Sequence, residues 1–264
     1  MTLATHEVCQ TPSYCLYSEG KGIQIDGWSI AVTEGPILSS NEVETWQSRL
    51  SLKLPTMVFG QNTLSFLWNG ERKFYFSAFD GLQTVSHESP SLRVKPAALW
   101  EDKQSTFDSP ATNYDWTFST NYGGTWLLEG EETTLSATQS YLDWPLLRRE
   151  DIPLLFFKEL SLFEDELDDQ GISSLSVRLR VMSSFFYVLC RFWLRVDNVH
   201  FRLCDTRVYH RWKTNVVIRE YSEQEATFEQ VAKLGIDSRW FTNSDFMQKI
   251  LPVTKKSAYR YYVK

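Results

Sequence analysis

Residues 156–210 read FFKELSLFEDELDDQGISSLSVRLRVMSSFFYVLCRFWLRVDNVHFRLCDTRVYH, and this stretch decides the fold. From Ser174 to Val181 the chain alternates: Leu175, Val177, Leu179 and Val181 point one way, and Ser174, Ser176, Arg178 and Arg180 the other. A period of two marks a strand buried on one face. Ser183 and Ser184 interrupt the pattern, and a longer strand follows from Phe185 to Val196. Asp197-Asn198 reads as a two-residue hairpin turn, because both side chains tolerate positive φ. That turn sets a register. Val196 faces Val199, Leu194 faces Phe201, Phe192 faces Leu203, Cys190 faces Asp205 and Val188 faces Arg207. The other face then pairs Arg195 with His200, Trp193 with Arg202 and Arg191 with Cys204. This cationic, aromatic face has two readings. It is either a solvated surface whose Arg stems cover Trp193, or a docking surface, since Trp and Arg are enriched where partners bind.

The flanking segments continue in the same style. Thr63–Trp68 and Glu71–Ala78 form a hairpin about Asn69-Gly70. Gly27–Thr33, Tyr114–Thr120, Thr125–Leu128, Thr133–Gln139 and Asn215–Tyr221 read as further strands. Ser40 or Asn41 caps a helix reaching about Leu52, with Glu42 and Glu44 in its first turn. Asp143 caps a short helix with Pro145 near its start, and Thr227–Leu234 and Ser244–Ile250 are helices ended by Gly235 and Pro252. Residues 86–112 read as loop. Strands that follow one another through short turns imply antiparallel sheets built from hairpins. The fold class is therefore α+β, with helices packed at the flanks. The division expected is a flexible N-terminal arm over 1–22, a single domain over 23–255 and a short basic tail over 256–264.

At 264 residues the chain can bury a sizeable core, and its 10 Trp and 17 Phe favour one packed unit. A net charge of −6 argues against a nucleic-acid surface. Met1–Gln10 has neither the basic nor the apolar region of a secretory signal. The longest apolar run, Phe185–Leu194, is broken by Arg191 and is too short to span a bilayer. A soluble chain of the cytoplasm, extending to the nucleus and monomeric when free, is expected. The four cysteines form no CxxC pair. In the register above, Cys190 and Cys204 point to opposite faces and cannot bridge.

No arrangement for covalent chemistry emerges. The four histidines form no HxH, HExxH or Cys-His cluster, so neither a metal nor a cofactor is expected. Gly123-Gly124 reads as a tight hairpin turn rather than a phosphate cradle. Glu164, Asp165, Glu166, Asp168 and Asp169 form the densest acidic cluster. It is either a solvated strand end and turn or an electrostatic contact for a basic partner.

Five words of the sequence carry a resemblance: PTMVFGQN (55–62), YDWTFSTNYGGT (114–125), FEDELDDQGISSLSVRLRVM (163–182), CDTRVYH (204–210) and REY (219–221). With the strands between them, the chain from about 23 to 252 resembles the TIPRL family of TOR-signalling regulators. The resemblance implies a non-enzymatic adaptor that binds catalytic subunits of type 2A, type 4 and type 6 Ser/Thr protein phosphatases. The loop 86–112 has no clear counterpart in that pattern. On this resemblance a groove is expected from Asp205 and Arg207 beside Leu203, an Asp80-Gly81 turn ending the first hairpin, Leu142 between Tyr141 and Trp144, and Trp116. Each has a local alternative: an Asp205–Arg207 pair, a simple turn at Asp80, and core packing for Leu142 and Trp116. If Asp205 is a contact, Asp205→Asn should weaken binding with little loss of folding. The competing function is a β-sheet ligand-binding protein or weak hydrolase with a pocket near Asp205 and His200.

Overall fold

Alternating apolar residues give two antiparallel sheets one buried face each, and those faces meet. The structure, a computed structural model, describes residues 12–85 and 115–263. The first sheet contains β1 (Tyr14–Leu16), β2 (Gly22–Ile25), β3 (Trp28–Thr33), β5 (Thr63–Trp68), β6 (Glu71–Ser77) and β7 (Thr125–Trp126), hydrogen-bonded in that order. The second contains β4 (Met57–Val58), β8 (Gly130–Thr134), β9 (Leu154–Asp165), β10 (Gly171–Met182), β11 (Phe185–Val196), β12 (His200–Arg211), β13 (Val216–Thr227) and β14 (Val253–Tyr262). Its order is β4-β9-β10-β11-β12-β13-β14-β8, so the expected α+β class with antiparallel hairpin sheets holds. The helices are α1 (Ser40–Leu50), α2 (Ala78–Gln83), α3 (Trp144–Leu147), α4 (Phe228–Ala232) and α5 (Ser244–Ile250).

Aromatic rings join the two inner faces. Trp28 of the first sheet is fully buried and meets Phe186 and His210 of the second edge-on, with centroids 5.4 and 5.3 Å apart. Leu175, Val177, Leu179 and Val181 all face this core, as their alternation requires. The outer face of the second sheet is covered at one end. There α4, a 3₁₀ turn over Ser238–Thr242 and α5 pack on Trp193, Phe201, Leu203 and Ala226.

The β11–β12 hairpin departs from the expected register. Its loop is Asp197-Asn198-Val199, with Asn198 at φ +60° and the Val199 N–H donating to the Val196 carbonyl at 3.0 Å. A three-residue loop with a left-handed residue is the next most favoured hairpin connection. Val196 therefore faces His200 rather than Val199, and every pair moves by one. Arg191 lies opposite Asp205, Trp193 opposite Leu203 and Arg195 opposite Phe201. A one-residue slip sends each side chain of one strand to the other face. Cys190 and Cys204 consequently share the inner face, where both are buried, unbridged thiols. Asp205 is on the outer face and His200 on the inner, so the two cannot line one pocket.

Other expectations are corrected more locally. Residues 115–124 form no strand. Instead the Asp115 carboxylate accepts the Thr117 N–H at 2.9 Å, and Phe118 takes φ +54°. The Asp80-Gly81 pair lies inside α2, capped by the Ser77 hydroxyl at 3.3 Å, rather than in a turn. Residues 256–262 are no tail but part of β14, and β1 falls within the expected arm, whose residues 1–11 lie outside the described ones. The strand read over Thr133–Gln139 is β8, which ends at Thr134. The loop 86–112 lies outside the described residues.

Candidate docking face

The strand register brings charged groups together on the outer face of the eight-stranded sheet. Asp205 is fully buried there. Arg191 grips it with both prongs, Nε donating to Oδ1 at 2.7 Å and Nη2 to Oδ2 at 2.8 Å. Arg207 Nη2 donates to the same Oδ2, and its Nη1 to the Ser222 hydroxyl at 3.3 Å. A carboxylate stripped of water is costly unless it is paired and fully hydrogen-bonded. Two guanidiniums meet that requirement.

The network continues into α5. Arg191 Nη1 donates to Asp245 and, at 3.2 Å, to the Ser244 hydroxyl, while Arg178 donates to Asp245 at 3.3 Å and to Glu159 at 2.7 Å. Burial alone would lower the Arg191 pKa, but Asp205 and Asp245 hold it above its ordinary value. Burial would raise the Asp245 carboxyl, yet Arg191 and Arg178 hold it below the usual carboxylate range.

On the far side of the same face, Glu220 fixes the 140–142 loop. Its Oε1 accepts from the Ser140 hydroxyl at 2.8 Å, from the Leu142 N–H at 3.2 Å and from the Tyr141 N–H. Arg260 sits over the Tyr141 ring at 4.2 Å. Leu142 is thereby pressed into a small cluster with Ile152, Phe185 and Tyr209.

Between α5 and this loop the sheet is partly open. Phe157, Arg180, Tyr187 and Tyr209 form one cross-strand row, and Glu159, Arg178, Leu189 and Arg207 the next. Phe157 is 46% exposed, Arg180 is exposed, and Tyr187 and Leu189 are half-buried. An exposed aromatic flanked by arginines on a rigid sheet has the composition of a binding hot spot.

Of the expected site residues, the structure places Asp205 and Arg207 in the middle of this face and Leu142 at its margin. Leu203 shares the face but lies under the helices, fully buried. Asp80 belongs to the other side of the molecule, where its carboxylate accepts the Thr125 hydroxyl at 2.5 Å. Trp116 stands apart as well. With Lys53, Leu54, Met57 and Phe118 it lines an open pocket of about 430 Å³, with the acidic turn as one wall. That turn holds three consecutive left-handed residues, Leu167, Asp168 and Asp169. Asp165 is spent on local structure, accepting from the Thr56 N–H at 2.8 Å and the Leu167 N–H at 2.7 Å. Phe157 was not singled out in the sequence, because the run FFKELSLF does not show which Phe faces outward. The polar side of β10, with Arg178 and Arg180, was the available signal. Among the described residues no three His, Cys, Asp or Glu side chains gather as a metal site, and no helix is long and apolar enough to cross a membrane.

Fold and face together define a class: a two-sheet scaffold that presents an arginine–aromatic surface locked by buried ion pairs. The chain belongs to the TIP41-like family, whose pattern matches residues 57–232. It is 34% identical over 276 residues to a TIP41-like protein of Arabidopsis thaliana, covering 96% of this chain and 95% of that one. A TIP41-like protein of Homo sapiens is 35% identical over 231 residues, covering 86% and 84%. The type 2A phosphatase activator TIP41 of Saccharomyces cerevisiae is 35% identical over 234 residues, covering 81% of this chain and 65% of its own length. The resemblance carried by the five sequence words is thus a family membership.

Proposed function

We propose that this chain is a non-enzymatic regulator that binds the catalytic subunit of type 2A Ser/Thr protein phosphatases through the outer face of its eight-stranded sheet. Its yeast relatives are named as type 2A phosphatase activators, which supports the choice of partner. The observation that carries the choice of surface is the Phe157–Arg180–Tyr187 row, left open between α5 and the 140–142 loop. Beside it on the same face, the Arg191–Asp205–Arg207 cluster clamps neighbouring strands together, so little ordering entropy is lost on docking. Asp205 acts here as a support, while Phe157 and Arg180 make the contact. Binding to type 4 and type 6 subunits, and a place in TOR-dependent signalling in the cytoplasm and nucleus, extend this reading on the family resemblance.

Gel filtration of the purified chain mixed with purified type 2A catalytic subunit tests the reading. A co-eluting complex at micromolar concentrations is expected. Two separate peaks under those conditions would remove the proposal.

A further inference from the structure

Three of the five words that carry the family resemblance meet at the open pocket beside Trp116. Met57 comes from the first, Trp116 and Phe118 from the second, and the acidic turn Asp165–Asp169 from the third. The words lie far apart in the chain, and the fold joins them. β4, which carries Met57, pairs with the end of β9, and the turn follows directly. The pocket measures about 430 Å³, within the range of ligand pockets.

Its walls are of two kinds. Leu54, Met57, Trp116 and Phe118 give an apolar and aromatic side. The acidic turn gives the other, and it is fixed in place. Leu167 is buried, and its carbonyl accepts the Gln170 N–H at 3.0 Å. Asp165 is engaged with Thr56 and Leu167, but Glu166, Asp168 and Asp169 are exposed. Among the described residues these three carboxylates have neither an ion-pair nor a hydrogen-bond partner. Lys53 is the one cation in the lining, and it pairs with none of them.

This combination selects its occupant. An apolar residue would leave the carboxylates unneutralised, and an acidic one would be repelled. A metal ion needs oxygens converging on one point, and among the described residues no such cluster forms. Lysine and arginine join a long apolar stem to a cationic head. The stem suits the Met57 and Trp116 side, the head suits the carboxylates, and a cation over an indole gains a further attraction.

We propose that this pocket takes a lysine or arginine side chain presented by a partner protein, with its stem against Trp116 and its charge toward Glu166, Asp168 and Asp169. The acidic cluster then serves as one wall of a docking pocket, separate from the open strip at Phe157.

The test follows the Trp116 indole N–H resonance of the full chain, assigned by its loss in Trp116→Phe. The probes are N-acetyl-arginine amide and N-acetyl-lysine amide, with N-acetyl-norleucine amide as the uncharged control, at matched ionic strength. At least one cationic probe should shift the resonance saturably, with a midpoint of about 10 mM or tighter. A response to the arginine probe alone assigns a guanidinium, and to the lysine probe alone an ammonium. Glu166→Gln/Asp168→Asn/Asp169→Asn should weaken binding about fivefold or more. Asparagine keeps the left-handed backbone that positions 168 and 169 adopt. Should that variant fail to fold, the norleucine comparison and the loss of the wild-type shift in added salt decide. No saturable shift, equal binding of the norleucine probe, or an unweakened triple variant overturns the pocket's role. No phosphatase enters the experiment, so its failure leaves the proposed function standing.

Discussion

Asp205 shows how far a single side chain can be read from its neighbours. The Asp-Thr-Arg word placed Asp205 and Arg207 two apart on one strand, and the pair does form. The stronger grip comes from Arg191, fourteen positions earlier, and needed the correct register to be seen. Full burial changes what Asp205→Asn should do. It leaves two guanidiniums without their shared carboxylate, so unfolding in urea should show a loss of about 3 kcal/mol or more. Unchanged stability with lost phosphatase capture would instead return Asp205 to the contact surface. A second residue sets a pH dependence. Burial pushes the His210 imidazole down from 6.5 to about 4, overriding its hydrogen bond to the Val216 carbonyl. Unfolded His210 takes up a proton below pH 6.5 and the folded residue only near 4. Its contribution is therefore complete above pH 6.5 and lost as pH falls toward 4, on the order of 3 kcal/mol in all. His210→Phe should flatten the stability profile in that window. An unaltered slope would assign the acid sensitivity elsewhere.

Secondary structure was legible where the signal is local. The Asn69-Gly70 hairpin stands as read, with both residues at positive φ. So does α5, from Ser244 to Ile250. The α1 cap falls at Ser39, one residue earlier than read. Its hydroxyl and the Glu42 carboxylate form a capping box. Ser39→Ala should cost about 1 kcal/mol in thermal unfolding. A change within error would mean the box contributes nothing to the fold. The β11–β12 loop was misread because Asp-Asn suits either a two- or a three-residue turn, and only packing chooses between them. Deleting Val199 tests that choice. The shortened loop would impose the two-residue register, turn one face of β12 the wrong way and leave the chain unable to fold. A soluble, cooperatively melting deletion variant would show that the strands, rather than the loop, set the register.

At the scale of the whole molecule, alternation in β10 and the succession of hairpins were enough to give two antiparallel sheets. They could not show which sheet covers which. The polar face of β10–β12 was visible as a choice between solvent and partner. Neither covers the whole of it: one end lies under helices, the middle is clamped by ion pairs, and the strip at Phe157 and Arg180 stays open. Asp80 and Trp116 were grouped with Asp205 only through the family resemblance, and the fold sets both apart from this face. The account rests on the open strip being the docking surface. Its most direct test is the dissociation constant for purified type 2A phosphatase catalytic subunit, measured by calorimetry for wild type and for Phe157→Asp/Arg180→Glu. An unchanged melting temperature with about 30-fold or greater weakening is predicted. Equal affinity in a folded double variant would contradict it.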